Sequence, residues 1–466
     1  MSGSQRESIR ENAQYLRHVR PIDPEELTEY VEGHPHPAVI RETLRDLATE
    51  LELFERPDGT FVPVPEAPFD PDFGGVDQFP SAYADLFLDQ LTDRYGLEWY
   101  DGESGDRLRT TIRRLKEKYY RQRNIEYDVD VVYGYGIYHL PDYYAAIQYV
   151  LAELASMALL SRTARVLDVG AGVGGPALGL ADFYAGDTSV EYHAIEPSPA
   201  TDLLEMLLDA TDRNFRPTIH ETTAEAFDPG ATGPFDLILF ANVLSELADP
   251  VAIADRYADH LTADGALIAI APADRNTSLQ LREVERSVAG DGVSVFAPTV
   301  RFWPDHAPTD TCWSFDVKPD LDPPVFQQQL DAAGGDTGEF LNVDVQYSYS
   351  ILRPDGRRKH DLTLDPERFA KFAEMERHVT ERIDCVACKL SHDLGSDHPV
   401  YRISDGSEST AHFAVLTRET GLNRVLRTAD YGTVLRFESV LALWNDDEGA
   451  YNLVVDEETV VDLLSD

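Results

Sequence analysis

The chain of 466 residues is poor in several residue types, and each shortage excludes a class of protein. It has only three cysteines, too few for a disulfide scaffold, and this predicts a reducing, cytoplasmic location. It has no apolar run of about 18 residues, so we expect no membrane span. The amino-terminal segment MSGSQRESIRENAQ has no apolar stretch, so we expect no secretory signal. The remaining composition, 43% hydrophobic and 10% aromatic, is typical of a globular protein.

Lysine is almost absent, because only six of the 40 basic residues are lysine and the other 34 are arginine. The 84 acidic residues give a formal net charge of −44. One interpretation is an acidic protein that repels polyanions. We favour a salt-adapted (halophilic) protein, because the acids are interspersed along the chain rather than gathered in one tail. At salt concentrations above about 1 M the Debye length falls to about 3 Å or less, so repulsion from RNA would be weak.

The order of predicted elements indicates an α/β protein with several domains. Strands and helices alternate over 161–300, which is typical of a Rossmann-like, doubly wound parallel sheet. From Cys385 onward, five or six short strands with one helix after the third predict a small OB-like β-barrel. The predicted domains are a helical, winged-helix-like region at 1–62, a linker at 63–80, a helical region with a basic patch at 81–160, the α/β domain with an insert at 161–383, and the OB-like barrel at 384–466.

The most informative motif is Val166-Leu167-Asp168-Val169-Gly170-Ala171-Gly172-Val173-Gly174-Gly175-Pro176, in which an apolar strand runs into a glycine turn and a helix. It also fits the dinucleotide fingerprint G-x-G-x-x-G. However, Asp168 precedes the turn, where a carboxylate is a poor neighbour for pyrophosphate and a good one for an ammonium group. The spacing Asp-x-Gly-x-Gly-x-Gly is instead the signature of S-adenosyl-L-methionine (SAM) sites. We therefore predict a Rossmann-like SAM-dependent methyltransferase domain and keep a dinucleotide-binding fold as the alternative.

Residues after the following strands complete the predicted cofactor site. Glu196 ends the second strand, where a carboxylate accepts from two ribose hydroxyls. Ala224 follows the third strand, the usual place for backbone contacts to adenine, although Thr223 replaces the aspartate that is typical there. The predicted cofactor-binding residues are Asp168, Gly170, Gly172, Gly174, Glu196, Ala224 and Asn242.

The end of the fourth strand bears on the type of reaction. The segment from Asn242 to Ser245 lacks the Asn-Pro-Pro-Tyr arrangement that positions an exocyclic amine for methylation. No cysteine stands nearby to attack a pyrimidine ring. No general base stands out, so the only catalytic candidates are Asn242 and Glu246, and Glu246 also fits the first turn of a helix. For His193 and His220 we favour a core or loop role over catalysis.

Several blocks of the sequence resemble one family, the methyltransferase-like assembly factors of the small ribosomal subunit in bacteria and mitochondria. The blocks are a tyrosine-rich segment at 133–146, a fourth-strand block at 242–247, an insert that begins near Ala297 and ends at 312–315, and a late strand at 345–353. The resemblance covers about residues 130–390. It implies SAM as cofactor and small-subunit rRNA, or the small ribosomal subunit, as partner.

The family's insert usually carries cysteines that hold an iron–sulfur cluster. By this resemblance Cys312 matches one ligand and Cys385 or Cys388 the last, but Thr299 replaces the first and the second is missing near His306. Thiolates suit an iron–sulfur cluster or zinc. Positions 385 and 388 nevertheless lie three apart in a predicted strand, so their side chains point to opposite faces. We therefore favour structural thiols over a metal site.

Two basic clusters stand out in this acidic chain, one within residues 107–123 and one within 353–360. Phosphate contact is the natural use of such clusters, and a solvated face paired with nearby acids is the alternative. The residues predicted to contact RNA are Arg107, Arg113, Arg114, Lys118, Arg121, Arg357 and Arg358. In the barrel, aromatic residues that could stack bases also fit a barrel core, namely Tyr401, Phe413, Phe437 and Trp444.

The sequence thus predicts a SAM-binding methyltransferase-like protein that acts on small-subunit rRNA or in assembly of the small ribosomal subunit. Two alternatives remain. One is a non-catalytic RNA-binding assembly factor that uses SAM structurally. The other is a small-molecule methyltransferase, which the basic clusters and the barrel disfavour.

Overall fold

The computed structural model describes residues 3–120, 126–290, 292–311 and 313–464. The chain forms two compact units, which consist of residues 1–239 with 319–345, and of residues 240–318 with 346–466. The predicted domain at 161–383 is therefore divided between the units, because the chain leaves the first unit after Leu239 and returns to it at Pro319. Among the described residues, no helix combines the length and the apolar character needed to cross a bilayer.

The first unit begins with helices and a short hairpin, in the order that the sequence predicts. The elements are α1 (Gly3–Leu16), α2 (Pro24–Leu27), α3 (Pro37–Asp46), β1 (Leu53–Glu55) and β2 (Phe61–Pro63). Ile40 and Leu44 lie one helical turn apart on α3 and are fully buried with Ile9 of α1 and Phe61 of β2. This region therefore has its own apolar core, and its likeness to a winged helix stays a prediction.

The segment predicted as a linker, 63–80, is largely exposed but contains a few buried apolar residues. After Pro63, the last residue of β2, it contains neither a helix nor an extended strand, yet Phe69, Val76 and Phe79 are buried. The ring of Phe69 stacks on Tyr184 with centroids 4.7 Å apart. The linker stays a prediction, and the structure adds three apolar anchors that a composition rich in proline and aspartate does not indicate.

Helices and parallel strands fill the rest of the first unit. The helices are α4 (Ser81–Tyr95), α5 (Gly102–Tyr120) and α6 (Val129–Ser156); then follow β3 (Thr163–Val169), α7 (Gly175–Phe183), β4 (Ser189–Ile195), α8 (Thr201–Leu208), β5 (Phe215–His220) and β6 (Phe235–Ala241). The strands are parallel in the order β5-β4-β3-β6, so the chain changes direction across the sheet at β3. Ligands of doubly wound sheets bind at the carboxyl ends of the strands at such a point.

The second unit contains antiparallel strands and the helices beside them. In chain order these are α9 (Pro250–Ala258), β7 (Leu261–Pro272), α10 (Arg275–Val288), β8 (Ser294–Ala297) and β9 (Asp316–Lys318); α11 (Val325–Ala333) returns to the first unit and β10 (Val345–Arg353) to the second. The antiparallel order is β7-β10-β8, and β9 also pairs with β10. Buried Arg282 of α10 donates to Tyr349 O and pairs with Glu285, which fastens α10 to β10.

The carboxyl-terminal region is a closed five-stranded barrel, as predicted. Its elements are β11 (Arg382–Lys389), β12 (Val400–Ser404), β13 (His412–Leu416), α12 (Val425–Thr428), β14 (Val434–Asn445), β15 (Ala450–Val455) and β16 (Val460–Leu463). The strand order is β11-β12-β13-β15-β14, β14 closes the barrel on β11, and β16 adds to β14. The helix lies between the third and fourth strands, as in OB-type barrels.

Two details of the barrel correct the sequence analysis. The predicted strands 433–437 and 440–444 form one strand, β14, with a positive φ of 58° at Ser439. On one edge of β14 the residues before Ser439 pair with β16 and those after it pair with β15, whereas β11 pairs with both halves on the other edge. The predicted boundary at 384 also cuts into β11, and Phe372 and Met375 upstream of it belong to the barrel core.

Candidate functional site

The glycine loop joins the carboxyl end of β3 to the start of α7. Gly170, Gly172 and Gly174 have φ values of 72°, 55° and 93°, in the left-handed region that favours glycine. The N–H groups of Gly170 and Ala171 donate to Ile195 O at 2.8 and 3.1 Å. These bonds tie the loop to the end of β4 and allow α7 to begin directly after the turn.

The second and third glycines have different surroundings. A Cβ on Gly172 would approach only Gly170 O, at 4.0 Å, so this glycine borders open space. A Cβ on Gly174 would lie 2.7 Å from Leu204 Cδ1 of α8. Gly172 therefore leaves room for a ligand, whereas Gly174 is required for packing between the loop and α8.

Asp168, the acid of the motif, is the last residue but one of β3 and is fully buried. Its Oδ2 accepts a hydrogen bond of 2.6 Å from the hydroxyl of Tyr192, and its Oδ1 has no hydrogen-bond partner among the described residues. Burial raises the pKa of Asp168 to about 7, against the hydrogen bond from Tyr192, which lowers the pKa. A buried acceptor without a donor is unfavourable, so the geometry fits a ligand that brings a positively charged N–H group.

Glu196 follows β4 immediately and is also buried. Its Oε2 accepts from the N–H of Gly172 and its Oε1 from the N–H of Ser198, both at 2.8 Å. The two backbone bonds fix the carboxylate next to the glycine loop. Each oxygen retains a further acceptor site, which suits the paired hydroxyls of a ribose.

Ala224 and Asn242 lie after the next two strands. Ala224 is buried in the turn after β5. Asn242 follows β6 with a φ of 61°, and its N–H donates to Ile270 O at 2.8 Å. Both polar atoms of the Asn242 side chain are buried and have no hydrogen-bond partner among the described residues. An amide in this state points to a group that the protein itself does not supply.

The two catalytic candidates, Asn242 and Glu246, differ in their exposure to solvent. Glu246 is exposed and ends a short 3-10 helix, Leu244–Glu246, which is close to the helix start that the sequence indicated. Asn242 is the buried one of the pair. His193 and His220 form a polar chain, with His193 Nδ1 3.1 Å from His220 Nε2 and His193 Nε2 3.0 Å from Glu191. His193 is buried on β4 and His220 is half-buried at the end of β5, in line with the predicted core or loop role.

Sequence reasoning missed a group of rings on α6. Tyr135, His139 and Tyr143 were quoted only as part of a family-like segment, yet their ring centroids lie 4.9 to 6.1 Å apart. Their spacing of four residues along a helix was the signal that could have found them.

The structure divides the first basic cluster into two sides of α5. Arg113 forms two bonds of 2.6 and 2.8 Å with the carboxylate of Glu339, and Arg109 is buried with its guanidinium donating to Leu330 O. Arg114 is exposed, Lys118 is partly exposed, and Arg107 has weak ion pairs with Glu103 and Asp130 at 3.9 and 3.8 Å; Arg121 lies outside the described residues. Arg107, Arg114 and Lys118 share one side of the helix.

The second cluster lines a small cleft in the second unit. Arg357 is exposed beside Asp355, and Arg358 donates to Arg301 O at 3.0 Å. The residues of the cleft include four with basic or imidazole side chains and come from the β8 end, the loop after β10 and the barrel; they are Phe296, Pro298, Thr299, Val300, Arg301, Arg358, Lys359, His360 and Gly432.

The two metal candidates that the structure describes, Cys385 and Cys388, lie in different apolar clusters. Cys385 faces the barrel core, whereas Cys388 lies in a separate apolar cluster with Phe302 and Trp303, so the opposite faces expected of positions three apart are present. Cys312 lies outside the described residues. Within the described part of the chain, no group of three histidine, cysteine or acidic side chains could hold a metal ion.

Comparison with family models identifies the central domain. Residues 167–267 match a methyltransferase domain, which confirms the SAM-dependent methyltransferase domain predicted from the glycine loop. Residues 6–57 and 373–464 match the N-terminal and C-terminal domains of a domain of unknown function, DUF8157. Among curated proteins, none is significantly similar in sequence.

Solved structures with some similarity are also methyltransferases. The plantazolicin methyltransferase BamL in complex with SAH is 12% identical, with a TM-score of 0.30, over 59% of this chain and 97% of that one. Magnesium protoporphyrin IX methyltransferase from Synechocystis PCC 6803 with bound SAM is 16% identical, with a TM-score of 0.27, over 46% and 89%. The sugar N-methyltransferase KedS8 from Streptoalloteichus is 19% identical, with a TM-score of 0.22, over 33% of this chain and only 52% of that one. Because these TM-scores are low, the assignment depends on the family match and on the topology of the sheet.

Proposed function

We propose that this protein transfers the methyl group of SAM to RNA of the small ribosomal subunit. The observation that carries the RNA part is the basic side of α5. Within 107–118 six residues are basic and one, Glu117, is acidic, in a chain where acids outnumber bases 84 to 40. Lysine and arginine neutralise phosphates, so a local excess of these residues in an otherwise acidic chain indicates a surface that binds a phosphate backbone.

The two sides of α5, one with Arg109 and Arg113 and the other with Arg107, Arg114 and Lys118, have different roles in this proposal. Arg109 and Arg113 are engaged within the first unit, so they position the helix. Arg107, Arg114 and Lys118 lie on the other side, where a phosphate backbone could approach. The interaction would depend strongly on salt, because it releases counterions.

The cleft in the second unit supports the same proposal independently. Arg301, Arg358, Lys359 and His360 contribute basic or imidazole groups to one concave surface. In the barrel, Trp444 is 41% exposed and can stack a base, whereas Tyr401 and Phe437 are core residues and cannot.

The residues at the glycine loop have assigned roles in the proposed reaction. SAM, when bound, supplies an electrophilic methyl group. Asp168 would accept a hydrogen bond from the ammonium of the methionine moiety, and Glu196 would accept from the ribose hydroxyls. Asn242 stays a predicted cofactor-binding and catalytic candidate, and both polar atoms of its buried side chain have no hydrogen-bond partner among the described residues. The resemblance to small-subunit assembly factors supports the choice of this RNA.

The proposal is tested by crosslinking in cells followed by sequencing of the bound RNA, together with transfer of a labelled methyl group from SAM to isolated small subunits. Enrichment of small-subunit rRNA and label in that RNA are expected. Enrichment without label would favour a non-catalytic assembly factor. Label in small molecules without RNA enrichment would favour a small-molecule methyltransferase.

A further inference from the structure

Helix α6 runs alongside α7 and extends beyond its start. A Cβ on Gly175 would lie 3.1 Å from Leu140 O and from Tyr143 Cβ, and a Cβ on Gly179 would lie 2.3 Å from Tyr144 O. The two helices therefore touch backbone to backbone, and α7 begins beside residues 140–143. The preceding residues of α6, 129–139, continue past the start of α7 for about 16 Å at a rise of about 1.5 Å per residue.

This extension lies on the ligand side of the sheet. The glycine loop connects the carboxyl end of β3 to Gly175, so whatever extends past the start of α7 extends past that loop. In doubly wound sheets this edge holds the ligand. The extension therefore adjoins the region where a methyl acceptor must meet the cofactor.

Three rings on the extension form one surface. His139 is stacked on Tyr143 with an angle of 10° between the rings and centroids 4.9 Å apart, and Tyr135 lies 5.0 Å from His139. All three side chains are partly exposed. By contrast, Tyr144 on the same helix is buried, with its hydroxyl bonded to Asp182. The three rings thus present aromatic area to solvent at the mouth of the cofactor region.

Polar contacts with Asp142 and Asn342 fix the orientation of the central ring, His139. His139 Nδ1 lies 3.4 Å from Asp142 Oδ2 and 3.5 Å from Asn342 Nδ2, and Asn342 donates to Tyr138 O at 2.9 Å. Gln327 in turn accepts from the N–H of Asn342 and donates to Ile137 O. A ring held by α6 and by the segment after α11 presents a fixed face.

We infer that Tyr135, His139 and Tyr143 form the binding surface for the planar aromatic group that receives the methyl. If the proposed function is correct, on which the identity of the acceptor rests, that group is a nucleobase of RNA. Stacked, partly exposed rings bind any planar π system, because every base has a π-face. The surface of the three rings favours planar acceptors over non-planar ones, and contacts outside this surface determine which base binds.

The test uses the full chain with SAH and two fluorescent probes, the nucleoside 2-aminopurine riboside and an RNA oligonucleotide that contains 2-aminopurine, with indole as a competitor that is not a nucleobase. The variant Tyr135→Ala should weaken probe binding at least about 10-fold, the order of one lost stacking contact. Tyr135→Phe keeps the ring and should bind like the wild type. Tyr149→Ala, a tyrosine at the other end of α6, is the matched control and should also bind like the wild type.

The outcomes separate the surface from the RNA proposal. SAM affinity measured by calorimetry should stay within about 2-fold in all variants, which excludes general damage to the fold. If Tyr135→Ala does not fold, His139→Ala takes its place. Equal probe binding by wild type and Tyr135→Ala, or loss of binding in Tyr149→Ala alone, overturns the inference. If indole and the nucleoside bind in a Tyr135-dependent way but the oligonucleotide does not, the surface stands and the RNA function is wrong.

Discussion

The hydroxyl of Tyr192 donates a 2.6 Å hydrogen bond to Oδ2 of Asp168, across the neighbouring strands β4 and β3. This bond leaves Oδ1 as the one oxygen of the carboxylate that is buried without a partner among the described residues. Because Tyr192 occupies Oδ2, a ligand is expected to bind Asp168 through Oδ1.

The first prediction concerns cofactor binding. Asp168→Asn keeps the shape of the side chain but removes the charge, and we expect SAM affinity to fall at least about 10-fold because an ion-paired hydrogen bond is lost. Gly172→Asp should abolish binding, because the new side chain fills the open space beside the loop. Isothermal calorimetry at high salt measures both effects. Wild-type affinity in both variants would refute the site, and tighter binding of NAD than of SAM would refute the class of cofactor.

The second prediction concerns pH. Because burial raises the pKa of Asp168 to about 7, the carboxyl is mostly protonated below that pH in the unliganded protein. An ammonium group favours the ionised form, so binding of SAM must release this proton. SAM affinity should therefore rise between pH 5 and 7 and level off above about pH 7. Calorimetry in two buffers of different ionisation enthalpy detects the released proton, and a flat profile without proton release would contradict the role of Asp168.

The third prediction concerns Tyr192 itself. Its hydrogen bond lowers the pKa of Asp168, so Tyr192→Phe should raise that pKa and shift the SAM affinity profile to higher pH. The folded-state pKa of Asp168 is above its unfolded value, so this group stabilises the unliganded fold at low pH. That stability is lost as pH rises through about 7, and the variant should move the loss upward. Tyr184→Phe, also a buried tyrosine, is the control and should leave both profiles unchanged.

The fourth prediction separates the two sides of α5. The double variant Arg114→Glu/Lys118→Glu should weaken RNA binding across sequences and reduce its salt dependence, with little change in thermal stability. Arg113→Glu breaks the pair with Glu339 and should lower stability by at most about 1 kcal/mol, because the pair is largely exposed. Filter binding at several salt concentrations and thermal unfolding distinguish the two variants. RNA binding that survives the double variant would place recognition elsewhere.

The fifth prediction concerns the thiols. Burial raises the pKa of Cys385 well above its usual value, so this thiol should resist alkylation near neutral pH in the folded protein. Purified without oxygen, the protein should contain at most substoichiometric iron or zinc. Thiol titration before and after unfolding, and metal analysis, measure these properties. A full complement of iron that disappears in Cys388→Ala would show a cluster.

The sequence was informative where chemistry depends on local spacing. The glycine loop, the acid at Glu196 and the strand and helix order of the barrel all follow from patterns of residues that are near one another in the sequence. Pairings between distant residues could not be read in this way. Arg113 and Glu339 are 226 positions apart, so a pattern along α5 showed a uniform basic cluster where the fold has two different sides.

The same dependence on local patterns explains why the single strand β14 and the buried residues of 63–80 were not predicted. A turn-like Glu438-Ser439 divided β14 into two predicted strands, since the bend at Ser439 has the local signature of a hairpin. The buried anchors of 63–80 were hidden for the opposite reason, because single aromatic residues carry no periodicity. Phe69 stacks on Tyr184, which is distant in the sequence, and no local sequence pattern indicates such a contact.

Strand β14 has a consequence for how the barrel comes apart. Its first half pairs with β16 on one edge and its second half with β15 on that same edge, while β11 pairs with both halves on the other edge. The strands β11, β15 and β16 can separate from the barrel only by breaking hydrogen bonds with β14, and β14 cannot release β11 without opening both of its halves. Amide protons along Val434–Asn445 should thus be among the last to exchange with solvent, and they should exchange together, in one cooperative opening of the carboxyl-terminal domain.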